Sequence, residues 1–158
     1  MENVILVAED SEDDELLLKH VLRKAGLVNP ILVVRDGMQA IAHLQEPEPS
    51  GENRTRSLPR VLFLDLYMPR MDGFEVLNWI KGRLHLKGML VVVLSHYGDM
   101  SAIKIAYGLG AHSFLTKPFK MLDLYNLMDY FGGYWTYADT LAHARGMAEQ
   151  QAEKLRDR

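Results

Sequence analysis

Five short strand-like runs constrain this chain more than any other feature. They cover Val4–Ala8, Ile31–Val34, Val61–Leu64, Met89–Leu94 and His112–Thr116. Each is too short for a buried helix and carries the β-branched and aliphatic residues of a strand. Between them, apolar residues fall at helical spacing. Leu16, Leu17, Val21, Leu22 and Ala25 follow the first run, and Met38, Ile41, Ala42 and Leu44 follow the second. Phe74, Val76, Leu77 and Ile80 follow the third, Ala102–Leu109 the fourth, and a last helix starts near Met121. Gly26 and Gly110 read as helix stops. Asp36-Gly37 turns the chain into the second helix, and Asp72-Gly73 begins the third. Strand and helix alternate throughout, the pattern of an α/β fold with a parallel sheet covered on both faces. The polar stretch Glu46–Pro59, with Pro47, Pro49 and Gly51, reads as a surface loop.

The totals narrow the function classes. A chain of 158 residues suits one domain with at most a small appendage. Hydrophobic content of 48% and charged content of 25% predict a packed core. A formal net charge of −3 argues against a nucleic-acid surface. The absence of cysteine excludes disulfides and thiolate metal sites. No run approaches the ~20 apolar residues of a membrane span. Val4–Ala8 is too short for a signal peptide and lacks a basic leader. A soluble cytoplasmic protein is the expectation.

In a parallel sheet the C-terminal ends of all strands share one edge. The first run ends in Glu9-Asp10, the third in Asp65, the fourth in Ser95 and the fifth in Lys117. Taken alone, Asp65 reads as a turn acid or helix N-cap sooner than as a nucleophile or metal ligand. Glu12, Asp13 and Asp14 need no function, because Ser11 is a candidate cap and acids suit a helix N-terminus. Glu9 and Asp10 have no such explanation. Glu9, Asp10 and Asp65 bring about −3 of charge to the edge, and Lys117 brings +1. Carboxylates ~4 Å apart repel by roughly 4 kcal/mol per pair at an effective dielectric near 20. That cluster calls for a divalent cation, and an all-oxygen ligand set favours Mg²⁺. Ser95 and Lys117 are suited to donate to phosphoryl oxygens. These residues together point to Asp65 attacking phosphorus and becoming an acyl phosphate.

Four stretches then resemble one family. They are Val-Ala-Glu-Asp-Ser at 7–11, Leu-Asp-Leu-Tyr-Met-Pro-Arg-Met-Asp-Gly at 64–73, Val-Leu-Ser at 93–95 and Leu-Thr-Lys-Pro-Phe at 115–119. In order and spacing they are similar to the receiver domains of two-component response regulators, over roughly residues 3–131. The resemblance implies a flavodoxin-like fold with strand order 2-1-3-4-5. It implies Asp65 as phosphoacceptor, with Mg²⁺ held by Glu9, Asp10, Asp65 and the Tyr67 backbone carbonyl. Ser95 and Lys117 would hold the phosphoryl oxygens, Phe114 would be the switch aromatic beside Ser95, and Lys117-Pro118 would be cis. Glu9 stands where Asp is commoner, and His96 where a small residue is frequent. His96 and Tyr67 are expected to flank the acyl phosphate and set its hydrolysis rate.

A narrower resemblance is to the small receivers that partner phytochrome-type histidine kinases. It rests on the loop at 46–58 and on Tyr-Trp-Thr-Tyr-Ala-Asp-Thr-Leu at 134–141. The expected organisation is a receiver over 1–131 and a C-terminal helical extension over 132–158, without an output domain. The expected partners are a sensor histidine kinase and a downstream protein target, not DNA or membrane. Leu124, Leu127, Met128, Phe131, Tyr134, Trp135, Ala138, Leu141 and Ala142 lie on one helical stripe, bent at Gly132-Gly133. Leu127, Phe131, Tyr134, Trp135 and Leu141 are the candidate interface of a two-fold homodimer. The alternative is that Tyr134 and Trp135 fold back on the chain itself. His20 and His85 sit in polar surroundings without an evident role. Two other functions fit less well. A Mg²⁺-dependent aspartyl-phosphate phosphohydrolase commonly has an acid two residues past its nucleophile, where this chain has Tyr67. A phosphorylation-independent interaction module has no use for the acids, Ser95 and Lys117.

Overall fold

The computed structural model describes residues 2–47, 57–96, 98–138 and 140–157, the side chains of 140–147 excepted. Most of the polar stretch after Glu46 lies outside the described residues, as do the side chains of Leu141 and Ala142. The elements run β1 (Ile5–Ala8), α1 (Glu12–Lys24), β2 (Ile31–Val34), α2 (Gly37–Leu44), β3 (Val61–Asp65) and α3 (Gly73–Ile80). They continue with a 3₁₀ turn (Leu84–Leu86), β4 (Leu90–His96), α4 (Met100–Gly108), β5 (Ser113–Lys117), α5 (Met121–Tyr130) and α6 (Thr140–Arg156). The five strands are all parallel, in the flavodoxin-like order β2-β1-β3-β4-β5. No helix among the described residues is long and apolar enough to cross a membrane.

Strand periodicity explains the two cores. Leu6, Ala8, Leu62, Leu64, Val91 and Val93 point to one face, where α2, α3 and α4 cover them. Ile5, Val7, Val61, Phe63, Val92 and Leu94 point to the other, under α1 and α5. Central strands buried on both sides read as unbroken apolar runs. Each helix after β1, β2 and β3 starts on a capped residue. Ser11, Asp36 and Asp72 accept from the backbone N–H of Asp14, Gln39 and Glu75, and Glu75 returns the bond to Asp72 N–H. Short, capped turns hold the functional edge in place.

Several local expectations change. Leu18, Val21 and Leu22 are the buried face of α1, whereas Leu16 and Leu17 are 55% and 51% exposed. β4 runs through His96, so Ser95 lies inside the strand. His85 does have a partner: its Nε2–H donates to the Leu44 carbonyl at 2.8 Å, closing the end of α2.

The C-terminal stripe is the larger correction. α5 stops at Tyr130 and the chain reverses, so residues beyond Phe131 do not prolong the helix. Leu127 is buried and Trp135 is only 7% exposed, its ring 6.5 Å from Phe63 in the chain's own core. Both side chains are turned into the chain's own core. Tyr134 Oη donates to the Gly88 carbonyl, and the Arg60 guanidinium lies 5.0 Å from its ring centroid. Phe131 is half-buried against the same core, leaving Tyr130 as the exposed ring. Residues 136–138 run beside the α1–β2 connection, with Val28 N–H donating to Thr136 O and Ala138 N–H to Gly26 O.

Asn29 staples this return. It is fully buried, donates from Nδ2 to the carbonyls of Asn3 and Tyr134, and accepts from Thr136 N–H through Oδ1. Asn29→Ala strands those backbone groups, at a cost of about 1–3 kcal/mol. Chemical denaturation will show the loss, and amide exchange will rise first at Thr136 and Ala138.

Candidate functional site

The strand order creates the site. Chain crossings leave β1 toward α1 on one face and β3 toward α3 on the other, so the loops after β1 and β3 part and open a crevice. Glu9 and Asp10 follow β1 directly, and Asp65 closes β3, whose neighbours are β1 and β4. One carboxylate oxygen from each of Glu9, Asp10 and Asp65 lies within 4.8 Å of the others. Glu9 and Asp65 are buried, and Asp10 faces solvent. Glu9 Oε1 accepts from Ser11 N–H at 3.1 Å, and Oε2 is buried without a hydrogen bond. Three converging carboxylate oxygens fit a divalent cation with open positions for water.

Lys117 enters from β5 across a cis Lys117–Pro118 peptide. Its ammonium lies 2.8 Å from Glu9 Oε2, in an ionic contact whose angles are not those of a hydrogen bond. It donates to Asp65 Oδ2 at 3.1 Å and to Asp14 Oδ2 at 2.9 Å. Asp14 is therefore more than a helix-terminus acid: the first turn of α1 aims it back into the site. Nothing in the sequence separated it from Glu12 and Asp13 except its position one turn after Asp10.

Burial alone lowers the Lys117 pKa. The close contact with Glu9, the hydrogen bond to Asp14 and the charges of Asp65 and Glu9 outweigh that, and hold the ammonium protonated well above its ordinary range. The Glu9 carboxyl moves the other way. Burial, then the adjacent Asp65 carboxylate, push it up to about 8 in the metal-free protein, against the lowering effect of Lys117. One ammonium does not satisfy this many acids.

Ser95 sits on β4 beside Asp65, buried, and its Oγ has no hydrogen-bond partner. A buried hydroxyl without a partner at this edge is available to an incoming oxygen. Phe114, two residues from Thr116 on β5, stacks edge-on to Tyr107 at 6.2 Å between centroids. Both line a cleft of about 540 Å³ between α4, β5 and α5. Tyr67 N–H donates to Asp65 Oδ1 at 3.0 Å, and its ring is half exposed. His96 is exposed at the end of β4.

The turn from β3 into α3 depends on Gly73. A Cβ there would lie 2.4 Å from the Asp65 carbonyl oxygen and 2.7 Å from Leu66 Cα. Both are backbone atoms that cannot swing aside. Gly73→Ala is expected to cost about 1–3 kcal/mol and to displace Asp65. Its denaturation midpoint and its affinity for divalent metal should fall together.

Comparisons with known proteins agree with this geometry. The family model described as "Response regulator receiver domain" matches residues 5–129. Response regulator Rcp1 of Synechocystis sp. is 34% identical over 141 residues, covering 89% of this chain and 94% of Rcp1. The solved Mn²⁺-bound form of Rcp1 superposes with a TM-score of 0.65, covering 82% of this chain and 93% of that one. The phosphorylated cyanobacterial phytochrome response regulator RcpA is 32% identical with a TM-score of 0.66, over 82% of this chain and 91% of RcpA. The bacteriophytochrome response regulator AtBRR is 33% identical with a TM-score of 0.72, over 86% of this chain and 96% of AtBRR. With the acid crevice, the buried hydroxyl and the inward lysine in one place, this chain belongs to the family of response regulator receiver domains.

Proposed function

We propose that Asp65 accepts a phosphoryl group from a phosphohistidine of a sensor kinase, and that the protein signals through the resulting change of shape. One observation carries the reading: Asp65 lies in a single buried cluster with Glu9, Lys117 and the unpartnered Ser95 hydroxyl. A carboxylate oxygen of Asp65 forms the new bond to phosphorus. The phosphorus–nitrogen bond of the donor breaks, and the leaving imidazole nitrogen takes up a proton. Lys117 and Ser95 receive the phosphoryl oxygens by hydrogen bonding. Glu9, Asp10, Asp65 and the Tyr67 backbone carbonyl are the groups to hold Mg²⁺, which when bound supplies positive charge between carboxylate and phosphoryl group.

Support for a phytochrome-type kinase comes from the relatives RcpA and AtBRR. Exposed Leu16 and Leu17, one turn past the acid cluster, offer that partner an apolar contact beside the phosphoacceptor. The cleft at Phe114 and Tyr107, on the α4–β5–α5 face, is the surface that changes for a downstream protein. Residues 1–131 form the receiver, and 132–158 act as an extension docked on it. The protein works in the cytoplasm. A homodimer, if formed through the C-terminal region, uses Tyr130 and the outer edge of Phe131 rather than Leu127 and Trp135. Sedimentation showing the full chain to be monomeric at micromolar concentration contradicts that dimer.

Incubation with Mg²⁺ and a small phosphodonor tests the main reading. A stoichiometric label, stable to acid and labile to base, supports it. Rapid multiple turnover favours a phosphohydrolase, and no uptake favours an interaction module. Tyr67 argues against turnover, since its hydroxyl is engaged by Asp99 rather than directed at Asp65.

A further inference from the structure

Among the described residues, a hydrogen bond ties together the two loops that border the phosphoacceptor. Tyr67, on the loop after β3, donates its hydroxyl proton to Asp99 Oδ2 at 3.0 Å. The Tyr67 ring is held edge-on to Phe74, with centroids 6.0 Å apart. Its backbone N–H meanwhile bonds Asp65 Oδ1. Asp99 lies at the far end of the loop after β4, the strand that carries Ser95.

Asp99 occupies the N-cap position of α4, yet its carboxylate makes no cap bond. The N-cap side chains of α1, α2 and α3 all accept from a backbone N–H of the first turn. Asp99 also departs from the extended backbone that those caps adopt, with φ −85° and ψ 55°. The residue before it, Gly98, has φ 85°, a left-handed conformation that glycine adopts without strain, and a Cβ there would meet open space. One carboxylate thus faces two exclusive partners: the Tyr67 hydroxyl it now accepts from, and the N–H groups of Ser101 and Ala102.

We propose that the Tyr67–Asp99 bond is a latch that holds the start of α4 in the resting arrangement, and that it opens as Asp65 is phosphorylated, releasing Asp99 to cap α4. The inference rests on Asp65 being the phosphoacceptor. Phosphorylation takes the Asp65 side chain from −1 to about −2 of charge in all, and the added charge repels a carboxylate held at the mouth of the crevice. The N-terminus of α4 attracts the same carboxylate. The two states therefore differ in their interaction with the phosphoryl group, as a population shift requires. Tyr67 acts here as a positioning residue through Asp99.

Two measurements test the latch, one of them without metal or phosphoryl group. In metal-free protein, Tyr67→Phe is expected to slow amide exchange at Ala102 by about fivefold, the scale of one net hydrogen bond. Beryllofluoride with Mg²⁺, a stable phosphoryl mimic, is expected to bind Tyr67→Phe about fivefold more tightly, since more of the protein is already in the competent state. Both gains should vanish in Tyr67→Phe/Asp99→Ala, while Asp99→Ala alone keeps the wild-type affinity for Mg²⁺. Unchanged exchange at Ala102 in Tyr67→Phe overturns the latch, as does a gain that survives removal of Asp99. Failure of the wild-type protein to bind beryllofluoride overturns the phosphoacceptor reading instead, and the exchange result shows whether the Tyr67–Asp99 exclusivity stands without it.

Discussion

Asp65→Asn is expected to reduce phosphoryl uptake from a small donor to background, a fall of at least about 10³-fold. The substitution keeps the shape of the side chain and one oxygen for the Tyr67 N–H. An amide is not a nucleophile for phosphorus at neutral pH, so the packing survives and the chemistry does not. The same variant has a second consequence. After burial, the Asp65 carboxylate is the leading cause of the raised Glu9 pKa. Without that charge, the Glu9 titration, near 8 in the metal-free protein, moves down. Side-chain NMR of the carboxyl carbons through a pH series reads both states.

Lys117→Met is expected to be the most destabilising substitution at the site. It removes the one ammonium that sits within 3.1 Å of Glu9, Asp14 and Asp65. Removing one partner of a buried ion pair costs about 3–5 kcal/mol, because the remaining charges stay desolvated. Metal-free chemical denaturation measures that loss. Added Mg²⁺ should recover part of it by replacing positive charge among the same acids. The recovery depends on pH with a definite sign. A Glu9 pKa raised above its unfolded value stabilises the metal-free fold below about 4.5, and that contribution is lost as pH rises through about 8. Metal binding must displace the Glu9 proton, so stabilisation by Mg²⁺ is expected to be larger at pH 8 than at pH 5 in the wild-type protein.

Much of this site is legible in the sequence because strand ends in a parallel sheet are forced onto one edge. Once Val61–Leu64 is read as a strand, Asp65 has to stand at its rim, and the same holds for Glu9, Asp10 and Lys117. The strand order adds what local pattern could not: it sets β1 next to β3 and so brings Glu9 against Asp65. Asp14 was hidden because any acid in a first helical turn has a sufficient local reason to be there. Asn29 was hidden differently. An Asn before a proline reads as a turn residue, and only the folded return of Tyr134–Ala138 shows it bonding backbone on both sides. The stripe through Tyr134 and Trp135 misled because helical spacing persists in sequence after the helix has ended. Gly133 turns the chain, and Trp135 then fills a place beside Phe63.

The central claim is that one carboxylate, Asp65, carries the transferred phosphoryl group. Borohydride reduces an acyl phosphate to an alcohol and so converts the acceptor aspartate to homoserine. Peptide mass spectrometry after treatment with Mg²⁺, phosphodonor and borohydride should find homoserine at position 65 and at no other acid of the crevice. Homoserine at Asp10 or Asp14 in place of position 65, or a phosphoryl group recovered on a histidine, contradicts the account.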